Sequence, residues 1–131
     1  MSKRQRLWLC LPPWAACTLD QLLTLWGQPT HYWDVSYDYA LEASPPFNWL
    51  LRQHPLAFEA GIAAWVLLFT AVIVVLPLRL ARATSLAIVI GHGWGASTWL
   101  TIRISHGYWL AIALFIAAGL LTSCCWERAE R

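Results

Sequence analysis

Apolar residues run through this chain in long blocks with brief polar interruptions. A helix needs about 20 mainly apolar residues to cross a hydrocarbon core of about 30 Å. The block Leu56–Leu78 meets that requirement, with Glu59 as its single ionisable residue. Two further blocks follow, at about 85–102 and 108–124. Only the polar stretches 80–84 and 103–107 separate the three, which forces successive helices to run antiparallel. A first block, about 7–27, contains Pro12, Pro13 and Asp20 and follows Lys3, Arg4 and Arg6. A basic start before a short apolar stretch also fits a signal peptide, and Trp14-Ala15-Ala16-Cys17 approaches a lipobox. The apolar pattern continues past Cys17 through Leu22, Leu23 and Leu25, which favours a retained helix. The expected fold is therefore all-α. It is a single membrane domain over 1–131 with four transmembrane helices and an outer segment at 28–55.

The outer segment is rich in aromatic residues, among them His31, Tyr32, Trp33, Tyr37, Phe47 and Trp49. Such rings favour the headgroup level, so the segment reads either as an anchoring belt or as a lid over an outward-facing site. After Pro45-Pro46, the stretch Asn48–Arg52 reads as a short interfacial helix. The distribution of basic residues sets the orientation. Lys3, Arg4, Arg6, Arg79, Arg82, Arg128 and Arg131 fall on one side, and only Arg52 and Arg103 on the other. Basic flanks stay in the cytoplasm, so both termini are expected inside, in a membrane such as the bacterial inner membrane.

Composition supports that class and excludes others. The chain is 59% hydrophobic and 12% charged, with a mean hydropathy of +0.51. An ordinary soluble domain is about 25% charged. A net charge of +2 is too small to be the footprint of a nucleic-acid-binding surface. Cys10 and Cys17 lie in the first block, while Cys124 and Cys125 lie at the inner end of the last. A reducing compartment and adjacent spacing argue against a disulfide framework or a zinc knuckle.

No catalytic template fits. The chain has no G-x-S-x-G elbow, H-E-x-x-H, Walker A loop or G-x-G-x-x-G. Its four histidines share no ligand spacing, so neither a metal nor a cofactor is expected. Gly91 and Gly95 are one helical turn apart and predict a smooth face for close helix packing. What stands out is ionisable groups within spans, which are rare and tend to face the bundle interior. Asp20, Thr24, Glu59, Ser97, Thr98 and Arg103, with Glu42 and His106 above them, are expected to form an outward-facing polar cluster. A buried carboxylate such as Asp20 needs a proton or a cation, and Arg103 is one candidate. His92 is a further candidate. Counted from a helix start near Ser85 it sits about 10 Å deep, against about 20 Å for Asp20. That offset predicts contact only if a helix is tilted or irregular.

The order Asp20-x-x-x-Thr24-x-x-Gly27, then Glu42-x-x-Pro45, resembles a group of small bacterial multi-span membrane proteins of unknown function. That group carries a D-x-x-x-T…G…E-x-N-P signature. The resemblance covers about the first 60 residues; Ser44 stands where the signature has Asn, and the stretch between Gly27 and Glu42 is longer. It implies a retained first helix containing Asp20. Two functions fit the sequence. One is a non-enzymatic accessory, assembly or scaffold subunit, partnered by the bilayer and by a membrane protein or a second copy of itself. The ten tryptophans suit that role. The other is ion or small-molecule handling, by transport or intramembrane catalysis, through the cluster around Asp20.

Overall fold

Short polar breaks and helix-compatible blocks leave the backbone no sheet partner, and every regular element is a helix. The computed structural model describes residues 3–131, and among them there is no strand. The side chains of Lys3 and Arg4, counted above for orientation, lie outside the described residues. In chain order the elements are α1 (Lys3–Leu7), a 3-10 turn (Trp8–Cys10), α2 (Leu11–Trp26) and α3 (Thr30–Asp34). A second 3-10 turn (Tyr37–Tyr39), α4 (Pro45–Gln53), α5 (Pro55–Val75), α6 (Leu78–Arg103) and α7 (Gly107–Glu130) complete the chain.

The first helical stretch is irregular for a reason visible in the sequence. Pro12 and Pro13 have no N–H, so the carbonyls one turn earlier lose their helical donors. The chain tightens into a 3-10 turn there. The carbonyl of Leu9, left without a donor by Pro13, instead accepts a 2.8 Å bond from Ser85 Oγ. Both residues are fully buried. A serine of α6 thus holds the bend of the first helix in place.

α6 begins at Leu78, not near Ser85 as the polar pattern suggested. Leu, Arg and Ala are strong helix formers, so 80–84 continues the helix. The break falls at Leu76-Pro77 instead, and Pro77 is the N-cap. The hairpin between α6 and α7 turns at His106, in the left-handed region at φ 66°. Gly107 follows because a Cβ there would sit 1.9 Å from the Leu100 carbonyl oxygen.

α6 is the central helix. α2 and α7 pack along it closely, whereas α5 touches it much less. α5 is fastened elsewhere. Arg6 donates to the carbonyls of Val74 (3.2 Å) and Leu76, which close the C-terminal end of α5. Trp14 Nε1 donates to Thr70 Oγ1 at 2.8 Å. At the opposite end Phe47 of α4 packs edge-on against Phe58. The basic residues collect at the Arg6 end: Arg82 pairs with Glu130, and Arg128 lies 5.3 Å over Trp8.

α5 and α7 are long and apolar enough to cross a membrane. α2 and α6 do not reach that standard: α2 has only 16 residues, and the apolar part of α6 is diluted by glycine, serine, threonine and His92. The described residues thus form a helical bundle in which two helices are candidate spans. Their apolar windows are only 22% and 17% buried, so they turn most of their surface outward. Outward apolar faces of this kind suit hydrocarbon as the solvent.

Candidate functional site

Loose packing of α5 on α6 leaves a cavity of about 670 Å³ bounded by α2, α5, α6 and the segment before α4. Its polar end is built from Asp20 and Thr24 of α2, Glu42 and Ser44 of the outer segment, and His92 of α6. Asp20 and Thr24 share a face because they are four residues apart on α2.

Asp20 and His92 meet directly, with Oδ2 and Nδ1 2.8 Å apart. The depth offset expected from the sequence disappears because α6 starts earlier. From Leu78, His92 lies about 21 Å along its helix, level with Asp20. On its other side, Trp65 Nε1 lies 3.1 Å from His92 Nε2. An indole N–H can only donate, so Nε2 is the acceptor and the imidazole proton sits on Nδ1, pointing at Asp20. Trp65 thereby fixes the tautomer.

Gly95 makes room for the pair. A Cβ there would stand 2.6 Å from Asp20 Oδ1. Of the two glycines expected to form a packing face, Gly95 meets the Asp20 side chain of the neighbouring α2, whereas Gly91 has nothing within 4 Å and opens onto the cavity. The glycine that meets α7 is Gly93, facing Phe115.

Glu42 is held from several sides. Gln28, buried, bonds both the N–H and the carbonyl of Leu41, each at 2.8 Å, and so ties the segment to the end of α2. The Ser44 N–H donates to Glu42 Oε1 at 2.8 Å. Burial pushes the Glu42 carboxyl above the usual carboxylate range; the Ser44 N–H pulls it down, and the nearby charge of Asp20 pushes it up again.

The other expected members of the cluster lie apart. Glu59 accepts a hydrogen bond from Gln21 Nε2 at the edge of the cavity. Arg103 is exposed, 6.0 Å from the Trp99 ring, so the partner of Asp20 is His92 and not Arg103. Ser97 and Thr98 bond carbonyls of their own helix. Trp65 escaped the sequence reading because a tryptophan inside an apolar run resembles a lipid-facing one. Its indole N–H was the available signal, since a buried one needs an acceptor. Among the described residues, no group of three or more His, Cys, Asp or Glu is placed to hold a metal ion.

Beyond the polar end, the cavity is walled by Phe58, Phe69, Val72, Ala87 and Ile88. Two wall residues, Leu68 and Trp94, are 57% and 69% exposed, so the cavity opens sideways between α5 and α6 onto the apolar surface. No family model matches this chain, and comparison with curated proteins and with solved structures gives no match.

Proposed function

We propose that this chain is a four-span protein of a bacterial inner membrane, with both termini cytoplasmic, that binds a small amphiphilic molecule in the cavity between α2, α5 and α6. The observation that carries the reading is a lateral apolar cavity with a hydrogen-bonded Asp20–His92–Trp65 chain at one end. Sites for small molecules commonly occupy about 300–1,000 Å³, mostly apolar with a few placed polar groups. Ionisable residues at such depth are costly, and a ligand contact is one reason to keep them. The cavity supports small-molecule handling, the alternative to the accessory-subunit role that the sequence favours. Asp20, Thr24 and Glu42, which carry the resemblance to small bacterial multi-span proteins, all line it.

The test uses Gly91→Leu. Gly91 lines the cavity and nothing lies within 4 Å of a Cβ there, so the substitution adds bulk to the cavity wall at a point where its first carbon meets no neighbour. Protein purified in mild detergent and examined by native mass spectrometry should retain a small amphiphile in the wild type. The folded Gly91→Leu variant should lose it. Equal retention by both proteins, or a ligand-free wild type, overturns the reading.

A further inference from the structure

The walls of the cavity state what kind of polar head it takes. Two carboxylates, Asp20 and Glu42, face it, and no Lys or Arg lines it. His92 is spent on its neighbours: Nδ1 lies 2.8 Å from Asp20 Oδ2 and Nε2 lies 3.1 Å from Trp65 Nε1, so neither ring nitrogen is free to meet a head group. Aromatic rings of Phe47, Phe58, Phe69, Trp65 and Trp94 surround the space. Acids with aromatic faces in a desolvated pocket attract organic ammonium groups by charge and by cation–π contact. A bare metal ion is a poor fit, since the acids and histidine do not converge into a ligand set.

The remainder of the cavity describes the tail. From Gly95 to Thr84 it follows α6 for about 16 Å, with Phe69, Val72 and Ile88 beyond the polar end. Its sideways opening at Leu68 and Trp94 faces the surface that suits lipid.

We infer that the ligand is a cationic amphiphile: an ammonium head set between Asp20 and Glu42, with an alkyl or isoprenoid tail lying between α5 and α6 and entering from the bilayer. This rests on the amphiphile-binding reading above and adds the sign of the head group. The carboxylates supply charge-assisted hydrogen bonds, and the rings supply the remaining contacts.

Photoreactive dodecylamine, dodecanol and dodecanoic acid, each bearing a diazirine on the chain, separate the possibilities. The protein is reconstituted in phosphatidylcholine nanodiscs, and labelled residues are mapped. Partition into lipid alone marks outward residues such as Leu67 and Ile90, whereas occupancy of the cavity marks Phe69 and Ile88. The expected result is cavity labelling by the amine at concentrations where the alcohol and the acid mark only the outer face. Unlabelled dodecylamine should compete it away. Glu42→Gln and Asp20→Asn should each weaken that competition by about tenfold or more, the worth of one charge-assisted bond. Gly91→Leu should abolish it while remaining folded. Equal cavity labelling by all three probes, or a preference for the acid, overturns the cationic head but leaves amphiphile binding standing. No cavity labelling by any probe overturns both.

Discussion

Replacing Ser85 with alanine removes one hydroxyl and isolates one buried carbonyl. In the native protein that hydroxyl donates to Leu9, whose helical donor Pro13 cannot supply. Alanine fits the site, so the loss is that of the hydrogen bond and the desolvated carbonyl left behind. A buried acceptor without a partner costs about 1–3 kcal/mol, and this one is fully enclosed. Ser85→Ala should therefore destabilise by about 1–3 kcal/mol in unfolding by sodium dodecyl sulfate in mixed micelles, followed by circular dichroism. The decisive comparison is with Pro13→Ala, which restores an N–H opposite the Leu9 carbonyl. In that background Ser85→Ala should cost less, with a coupling of about 1 kcal/mol or more. An equal cost in both backgrounds would refute the assignment of Ser85 as the substitute donor for Pro13.

Two further outcomes follow from the same structure. Glu42 has a raised pKa, so the unfolded chain releases its proton first, and stability falls as pH rises from the ordinary glutamate range to the folded value. Glu42→Gln should accordingly raise the melting temperature at neutral pH and leave it unchanged below about pH 4; a variant less stable at neutral pH contradicts this. Gly107→Ala drives a Cβ into the Leu100 carbonyl and should cost about 3 kcal/mol or prevent folding, whereas Gly119→Ala, with nothing within 4 Å, should be neutral or slightly stabilising in the same unfolding assay.

Glu42 illustrates a wider point. If Glu42→Gln stabilises the fold as expected, Glu42 is a residue kept at a cost, as happens where binding and stability compete.

The helical class and α5 and α7 could be read from the chain because long apolar blocks leave few alternatives. Asp20 stood out as an acid in an apolar stretch, and the helix after Pro45-Pro46 followed from its prolines and amphipathic pattern. The start of α6 was misplaced because Arg79 and Arg82 resemble a loop in sequence. In three dimensions Arg82 is engaged by Glu130 and Trp126. That single error in register hid the Asp20–His92 pair. Arg103 attracted attention by charge alone, but geometry places it on the surface beside Trp99. The roles of Ser85 and Trp65 depend on which carbonyl lacks a donor and which ring nitrogen lies opposite, and no periodicity encodes either.

The way α5 is fastened also bears on kinetics. Arg6 and Trp14 hold it near one end, and Gln21 with α4 hold it near the other. A rod pinned at both ends does not swing open like a door. Passage between α5 and α6 must then depend on the side chains at the middle of the gap, Leu68 and Trp94, both turned outward. Rotation of exposed side chains takes picoseconds to nanoseconds, whereas displacement of a helix takes microseconds or longer. Exchange of an occupant with the bilayer should therefore be limited by how tightly the polar end holds it and not by opening of the bundle.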